Sequence, residues 1–442
     1  MSNNNRSKGN SKASVDFARL ARETYENVFG PPCYVAAEAR RSSDQPSVVS
    51  IDFTTSQYDF ARDTRRTVAG HMAVSIGGGS SAATVLAKGA PADAGSVSMS
   101  QRSPADASVM AVLRTASKTE RIVEIWHDDA LKRSIDVSGV HGEFYGDPTF
   151  GGLAWSPNGK SIVYAAEKPG HDKARPESVS QGGAGEEVLG DITDEIVGSV
   201  AGIADPRRYE LDSDWGETFD GKRPPALVVL DVESGTARVL PHPDSVSPGQ
   251  AQCLDDRIVF TGYKYAVRKY GIAWCHNRPT GIYTCDFDGG NVKCLHSGSV
   301  RSPRVTPSGK GLVFLSMMLG GPHASTSELM YYDLADGSVS MLVPIIAQPL
   351  AEQQILGGTQ LPEGFVGIYA DQLPKDPWLC VGGDPAREIL VFSSIWRTAT
   401  VVLTLDLQQR KLTLHSATDG TYNSVVLGAS GDIVIGQRST PA

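Results

Sequence analysis

The stretch IVFTGYKYAVRKYGIAWCHNRPTGIYTCDFDGGNVKCL, residues 258–295, contains the pattern that decides the fold. β-Branched and aromatic residues form two or three short runs, and Gly, Asn, Pro and Asp separate them. The last run ends at Asp286, and the Asp-Gly-Gly that follows is typical of a tight turn. The stretch therefore predicts short strands joined by turns.

The same hairpin pattern, an apolar strand that ends in Asp and is followed by a turn and a second strand, occurs three more times. It is found in LVVLDVESGTARVL (227–240), LMYYDLADGSVSML (329–342) and VLTLDLQQRKLTLH (402–415). Asp231, Asp286 and Asp333 are 55 and 47 residues apart, and Asp406 follows 73 residues later. A spacing of about 50 is that of a four-stranded blade, which buries its faces only against neighbouring blades. Dividing roughly 400 residues by this spacing predicts an all-β propeller of seven or eight blades over residues 34–442.

A second repeated phrase is a strand approached through a Pro-containing turn. The three copies are LAWSPNGKSIVYAAE (153–167), PRVTPSGKGLVFLSM (303–317) and, more loosely, GGDPAREILVFSSIW (382–396). Repetition of two different phrases favours a modular β architecture over a single sandwich.

The N-terminal region has a different pattern. Residues 1–13 are polar and predict a disordered leader, and residues 14–30 predict an α-helix. Ser14 suits the N-cap, a broad apolar stripe includes Leu20 and Tyr25, and Gly30 with Pro31 ends the pattern. Two later stretches interrupt the strand pattern. Residues 168–198 predict a mobile insertion and residues 87–108 a loop.

Composition limits the class of partner. The chain has 442 residues, 40% of them hydrophobic, and 41 Lys and Arg against 50 Asp and Glu give a net charge of −9. This charge disfavours nucleic acid, and the short basic groups are expected to be solvated surface. These groups consist of Arg40, Arg41, Arg62, Arg65 and Arg66. We expect a cytoplasmic protein without a membrane contact, because the sequence shows neither an apolar signal region nor a run of about 18 apolar residues.

The six cysteines are too sparse for a disulfide framework, and we expect buried thiols. A zinc site at Cys275-His276 with Cys294-x-His296 is an alternative. Neither pair has the two-residue gap of a zinc knuckle, so the sequence favours core thiols and predicts no metal site.

The nearest match to a serine-nucleophile motif is IGGGSSAAT (76–84). Gly78, Ser80 and Ala82 form only a relaxed version of Gly-x-Ser-x-Gly, and the segment that follows is too short for the helix that such a turn requires. A Gly-rich hairpin turn is the preferred interpretation. GASGD around Ser430 likewise predicts a turn, and no Gly-rich stretch precedes a helix as a phosphate loop would, so no cofactor is predicted.

Two charged features remain. An acidic loop resembles a calcium-binding loop in part, but it lacks the terminal bidentate Glu, so we expect an exposed loop between blades. Its carboxylates are Glu210, Asp212, Asp214, Glu217 and Asp220. Arg278 has the chemistry to bind a carboxylate, and the alternative is a pairing within the propeller. The sequence therefore predicts no catalytic, cofactor-binding or metal-binding residue.

Several phrases in order along the chain resemble the N-terminal part of the acylaminoacyl-peptidase family, in the prolyl oligopeptidase group of serine peptidases. They are FGGLAWS (150–156), AEKP (166–169), DWGE (214–217), VLDVESG (229–235), SVSPGQA (245–251), and GI at 271 with CHNR (275–278). The resemblance extends over nearly the whole chain.

The resemblance implies an N-terminal helix and a propeller in front of an α/β-hydrolase domain that holds the Ser, Asp and His of the active site. Such enzymes release N-acylated, typically N-acetylated, residues from short peptides, and the propeller screens peptides by size. An α/β-hydrolase needs on the order of 200 more residues than follow Ile435, so no catalytic residue is carried over.

The expected partners are therefore the hydrolase domain, missing here or on another chain, N-acylated peptides, and a second copy of the chain. A helix stripe without its hydrolase partner surface favours such self-association. The alternative is a stand-alone propeller that binds peptides or proteins without catalysis. A reaction cannot be assigned from fold alone.

Overall fold

The computed structural model describes residues 19, 20, 22, 31–42, 44–76, 83–170, 214–265, 268–380, 387–416, 418 and 423–439. The predicted leader at 1–13 and all but the first three residues of the predicted insertion at 168–198 lie outside the described residues. Only three residues of the predicted helix at 14–30 are described, so that helix is not borne out.

The described chain forms 28 β-strands. Four units consist of four consecutive antiparallel strands each, as blades do; two are separate sheets, and the other two share β17 within one seven-stranded sheet. The first two are β6 (Val97–Arg102), β7 (Val109–Thr115), β8 (Arg121–His127) and β9 (Ala130–Asp136), and then β10 (Leu153–Trp155), β11 (Ser161–Glu167), β12 (Pro225–Asp231) and β13 (Ala237–Val239). The other two are β14 (Val246–Cys253), β15 (Arg257–Lys264), β16 (Thr280–Asp286) and β17 (Lys293–Val305), and then β17 with β18 (Gly311–Met317), β19 (Glu328–Asp333) and β20 (Val339–Val343).

The remaining strands form sheets of other sizes. A five-stranded sheet contains β1 (Cys33–Arg41), β2 (Val48–Asp59), β3 (Thr64–Ser75), β4 (Thr84–Lys88) and β5 (Ala92–Asp93). A six-stranded sheet contains β21 (Gln354–Leu356), β22 (Thr359–Leu361), β23 (Trp378–Cys380), β24 (Glu388–Trp396), β25 (Ala399–Asp406) and β26 (Lys411–Leu414), with β22 and β26 parallel. A two-stranded sheet contains β27 (Asn423–Ser430) and β28 (Ile433–Ser439).

The prediction of an all-β, propeller-like architecture is confirmed, but the prediction of seven or eight blades is wrong. The described chain shows four four-stranded blades, between residues 97 and 343. The division by a 50-residue period assumed that the whole chain repeats, whereas both flanks form sheets with other strand numbers and spacings. The predicted loop at 87–108 is also wrong, because β6 lies within it.

The four predicted hairpins are confirmed, and each strand ends at its predicted Asp. The Asp side chain accepts a hydrogen bond from the turn in every case. Asp231 accepts from Ser234, Asp333 from Ala335 and Asp406 from Gln409, all through backbone N–H groups at 2.6 to 2.8 Å, and Asp286 accepts from the Asn291 side chain. These side chains satisfy turn donors that the strand ladder leaves unpaired, which explains the repeated Asp.

Apolar side chains are buried between successive sheets. In β11, Ile162 and Tyr164 face the sheet that contains β7, while Val163 and Ala165 face the sheet that contains β15. Both faces of the strand are therefore covered, as period-2 alternation requires when a sheet has a neighbour on each side. Two more such layers follow, one around Phe314 and one around Phe392.

The strands define two opposite rims. The C-terminal ends of β1, β6, β10, β14 and β27 converge on one cavity, and we call this end the distal rim. We call the opposite end the proximal rim. It includes the N-terminal end of β1 and the C-terminal end of β28, because β28 is antiparallel to β27. Two contacts agree with this placement: Arg41 and Asp432 form an ion pair at the distal rim, and the Cys33 sulfur lies 4.0 Å from the Gln437 side-chain oxygen at the proximal rim.

Candidate functional site

The distal rim opens into a cavity of about 530 Å³, which we call the distal cavity. Five strands from five sheets line it, and the charged side chains among its lining residues are Glu38, Arg40, Arg41, Arg102 and Asp376. A cavity of this size is in the range that accepts a small ligand or a peptide end.

Glu38 and Arg102 carry opposite charges in the distal cavity. The Arg102 guanidinium forms a 2.5 Å ion pair with Asp52 and lies 3.8 Å from a Glu38 carboxylate oxygen. The Asp52 carboxylate also lies 2.7 Å from Nδ1 of the His71 ring. Burial raises the pKa of Glu38 above its ordinary value, and the nearby cations Lys375 and Arg102 oppose this rise. The cavity wall therefore changes charge when Glu38 titrates.

Lys375 links β6 to a segment that is far from it in sequence. Its Nζ donates a 3.0 Å hydrogen bond to the carbonyl oxygen of Ser100 in β6. Burial lowers the pKa of Lys375, and Asp376 and Glu38 oppose the shift. This contact joins the segment before β23 to the first complete blade.

Two buried arginines hold the segment 370–374 against β17. Arg301 donates to the carbonyls of Ala370 and Asp371 at 2.8 and 2.6 Å, and Arg304 donates to those of Leu373 and Pro374, both at 2.6 Å. Burial lowers the pKa of each guanidinium to about 10. Backbone carbonyls, rather than carboxylates, thus solvate these charges inside the protein.

A second, smaller cavity of about 30 Å³ lies at the proximal rim, and we call it the proximal pocket. It lies between the β15–β16 loop, which supplies Cys275, His276 and Arg278, and the residues Arg301 and Asp371. The His276 ring bonds the Asp371 carboxylate at 3.1 Å. Arg278 donates to the Gly271 carbonyl at 3.1 Å and lies over the Tyr270 ring.

The residues of the alternative zinc site do not come together in the structure. Cys275 Sγ lies 2.9 Å from Nδ1 of His323, and His276 pairs with Asp371. Cys294 instead donates to the His296 carbonyl within β17. No group of three His, Cys, Asp or Glu among the described residues has a geometry that could hold a metal ion.

The expectation that all cysteines are buried is wrong. Cys33 and Cys294 are exposed, Cys253, Cys275 and Cys380 are half-buried, and Cys285 is buried. All six are free thiols. Cys33 occupies the first position of β1 and Cys294 lies in the exposed half of β17, which pairs with β16, so neither side chain enters an inter-sheet layer.

The acidic loop is described only from Asp214 onward, so Glu210 and Asp212 lie outside the described residues. The Asp214 carboxylate accepts from the N–H groups of Gly216 and Gly221, at 2.8 and 3.3 Å, and thus caps its own turn. Glu217 and Asp220 are exposed in and beside a short 3-10 turn, Glu217–Phe219. The described carboxylates therefore stabilise a turn and point to solvent.

The other candidates are placed as follows. Residues 77–82, including Ser80, lie outside the described part of the chain. Arg278 bonds the Gly271 carbonyl and lies over the Tyr270 ring, which agrees with the alternative of a pairing within the propeller. Arg40 and Arg41 form ion pairs with Asp128 and Asp432 and line the distal cavity, which sequence reasoning missed.

Sequence reasoning also missed Arg301, Arg304 and Lys375. A signal was present: SVRSPRV places two arginines in a strand whose other residues are small or apolar. An arginine in such a context indicates a buried charge with fixed partners.

The resemblance phrases meet at one contact between two blades. In SVSPGQA, a Cβ on Gly249 would lie 2.6 Å from the Phe150 Cα, and the Gln250 side chain donates to the Pro148 carbonyl at 2.8 Å. In DWGE, the Trp215 indole donates to the Ser247 hydroxyl at 3.1 Å. The shared residues therefore hold sheets together.

Within the described residues no helix is long and apolar enough to cross a membrane.

The comparisons with known proteins agree with this architecture. The family model described as acylamino-acid-releasing enzyme, N-terminal domain, matches residues 36–442. The acylamino-acid-releasing enzyme of Rattus norvegicus is 31% identical over 365 residues, which is 78% of this chain and 46% of the rat protein. The Homo sapiens enzyme is 32% identical over 362 residues, with coverage of 78% and 46%.

A solved structure, the acylaminoacyl peptidase of Pyrococcus horikoshii, has a TM-score of 0.51 and 11% identity, and the match covers 92% of this chain and 49% of that one. This likeness supports the fold alone. The chain spans about half the length of the curated relatives it matches. From the family match over residues 36–442 we conclude that the chain belongs to the acylamino-acid-releasing enzyme N-terminal domain family.

Proposed function

We propose that the chain is the propeller portion of an acylamino-acid-releasing enzyme and screens short N-acylated peptides for a serine-peptidase domain. The observation that carries the proposal is the family match over residues 36–442. In addition, the match to the rat enzyme covers 46% of that enzyme's length. The other half of such a relative has room for an α/β-hydrolase domain.

The proximal rim is the proposed docking face for that domain. The strands β1 and β28 both reach this rim, so a domain that continues the chain starts beside it. The same rim exposes large apolar side chains: Tyr270, Trp274 and Met318 are 60%, 72% and 67% exposed. The two loops that carry them are joined, because Gly320 N–H donates to the Asn277 carbonyl at 3.0 Å. An exposed apolar cluster of this kind is typical of an interaction surface.

The distal cavity supports a screening role. It lies at the opposite rim and is bordered by charged side chains that are fixed by ion pairs, such as Arg102 with Asp52. A rigid, charged opening admits a narrow chain and excludes a folded protein.

The chain by itself is proposed to be inactive, to reside in the cytoplasm, and to act with its hydrolase domain, as a homo-oligomer. The sequence contains no Gly-x-Ser-x-Gly. The purified chain is expected to give no turnover of acetyl-alanyl p-nitroanilide. Turnover that disappears in a Ser80→Ala variant would contradict this part of the proposal.

The decisive experiment extends the polypeptide. The coding DNA downstream of Ala442 is translated and searched for Gly-x-Ser-x-Gly, and the extended protein is assayed on N-acetylated peptides of increasing length. We expect hydrolysis that falls steeply with peptide length. If no such segment follows, the tagged chain is recovered from its source cells and tested for co-purifying acetyl-alanyl p-nitroanilide hydrolysis that a serine-directed phosphonate inhibits. Absence of both results would favour the stand-alone binding propeller, which the exposed apolar cluster on the proximal rim also suits.

A further inference from the structure

The Cys275 thiol has an imidazole nitrogen as its hydrogen-bond partner. Its Sγ lies 2.9 Å from the Nδ1 atom of His323. Cys33, Cys253 and Cys294 instead donate to oxygen atoms, namely the backbone carbonyls of Tyr34, Ala154 and His296 at 3.8, 3.9 and 3.5 Å, and Cys33 also lies 4.0 Å from the Gln437 side-chain oxygen. A carbonyl oxygen cannot take the thiol proton, whereas an imidazole nitrogen can.

Two loops of neighbouring blades hold the pair in place. Cys275 lies in the β15–β16 loop, and His323 lies in the β18–β19 loop. Asn277 links them twice: its side chain donates to the Gly321 carbonyl, and its own carbonyl accepts from Gly320 at 3.0 Å. The geometry of the thiol and the imidazole is therefore set by packing and not by chance encounter of two free side chains.

The surroundings of the pair favour an anion. Cys275 lines the proximal pocket together with Arg278 and Arg301. Asp371 is the carboxylate among the lining residues, and the His276 ring engages it at 3.1 Å. Arg301 is 5% exposed, and its Nη1 atom has no hydrogen-bond partner among the described residues. The pocket thus presents two guanidinium groups against one carboxylate that already has a partner.

Cys285, which is buried, and Cys253, which is half-buried, lack these properties. Burial raises the pKa of Cys285 to about 12, and burial also raises that of Cys253, so neither forms a thiolate readily. Cys275 is half-buried and open to the pocket. It combines access, a proton acceptor and neighbouring positive charge, which are the features of a reactive cysteine.

We propose that Cys275 and His323 form a reactive thiol–imidazole pair that undergoes exchange with small anionic disulfides. His323 takes the thiol proton, and the Cys275 sulfur attacks one sulfur of the incoming disulfide. The disulfide's own S–S bond breaks as a new one forms to Cys275, and the released thiolate takes up a proton. The incoming disulfide is the oxidant, so no further co-reactant is needed. The pair lies on the same two loops as the proposed docking face, so it is tested in the chain without a docked domain, and its chemistry does not rest on the proposed peptidase role.

The experiment treats the full chain with glutathione disulfide at neutral pH and follows each cysteine by peptide mass spectrometry. We expect Cys275 to form the mixed disulfide about tenfold faster than the exposed Cys33 and Cys294, which serve as internal controls. His323→Gln is expected to lower the Cys275 rate to that of Cys294. His323→Asn is the second variant if the first does not fold, as checked by circular dichroism.

A second arm tests the preference for an anion. Neutral 2-hydroxyethyl disulfide and cationic cystamine are compared with glutathione disulfide. Arg278→Gln is expected to slow the reaction with glutathione disulfide several-fold and to leave the rate with the neutral reagent unchanged. A Cys275 rate no greater than that of the two exposed controls, or one that His323 substitution does not change, would overturn the reactive pair. Equal rates with all three disulfides would overturn the anionic preference.

Discussion

The Oε1 atom of Gln250 accepts a 2.8 Å hydrogen bond from the backbone N–H of Ser302, which lies in the next blade. The same amide oxygen accepts from the Thr261 hydroxyl at 2.8 Å, and the amide nitrogen donates to the Pro148 carbonyl in the preceding blade region. One buried side chain therefore joins three successive parts of the structure.

We expect Gln250→Ala to lower the free energy of unfolding by about 2 kcal/mol, because it leaves the buried Ser302 N–H and the buried Thr261 hydroxyl without their acceptor. Urea denaturation measures the change. Gln252→Ala is the matched control, since Gln252 bonds only the carbonyl of its neighbour Ala251, at 3.2 Å, and should change stability by less than about 0.5 kcal/mol. Equal effects of the two substitutions would contradict this role of Gln250.

Gly249 is required by close packing. A Cβ at this position would lie 2.6 Å from the Phe150 Cα and 2.9 Å from the Thr149 carbonyl oxygen, and both of these are backbone atoms. Gly249→Ala should therefore destabilise the protein by about 2 kcal/mol or more, measured by the thermal midpoint and urea unfolding. Gly139→Ala is the control, because nothing lies within 4 Å of its added Cβ. A Gly249→Ala protein as stable as the control would show that β14 moves away from residues 149–150 at little cost.

Arg304→Met should cost about 3 kcal/mol of unfolding free energy. The substitution removes the 2.6 Å hydrogen bonds to the carbonyls of buried Leu373 and half-buried Pro374 and leaves both acceptors without that donor. Arg238→Met, which loses one exposed bond to the Phe287 carbonyl, should cost well under 1 kcal/mol. If the two arginine variants unfold at the same urea concentration, the segment 370–374 does not depend on Arg304.

Stability should fall as the pH drops through the range in which histidines titrate. His141 is buried, and its ring lies 2.8 Å from the Gly142 carbonyl and 2.9 Å from the Tyr164 hydroxyl. Burial lowers its pKa below the ordinary value of 6.5, so the unfolded chain binds a proton first as acid is added. The stabilising contribution is complete above pH 6.5 and is lost as the pH falls towards the folded-state pKa.

Urea unfolding at about pH 7.5 and about pH 5.5 tests this linkage. The drop in unfolding free energy between the two conditions should be smaller in His141→Gln than in the parent protein. Burial shifts His242 and His296 in the same direction, so part of the drop should remain. An identical drop in both proteins would exclude His141 as a source.

The hairpins could be read from the sequence because their information is local. Asp231 and Asp333 each satisfy a donor within three residues, so strand end and turn occur in one short phrase. The blade number could not be obtained in the same way. It depends on which strands pair over long distances, and the parallel contact of Gln360 with Lys411 has no local signature.

The candidate sites required the structure for the same reason. The partners of Cys275 and Lys375 lie 48 and 275 residues away, and no motif links them. The sequence pointed to Cys275 and His276 as a pair, but their functional neighbours are His323 and Asp371. Chemistry that is assembled across blades is visible only when the order and spacing of the sheets are known.

The strand β17 belongs to two blades, because it pairs with β16 through its first half and with β18 through its second, with a register shift between Arg301 and Arg304. A loop between two sheets allows them to tilt relative to each other, whereas a strand that is hydrogen-bonded into both sheets restricts that tilt. The two blades that share β17 should therefore move together as one rigid unit. Relative motion between blades is then expected at the contacts between the other sheets.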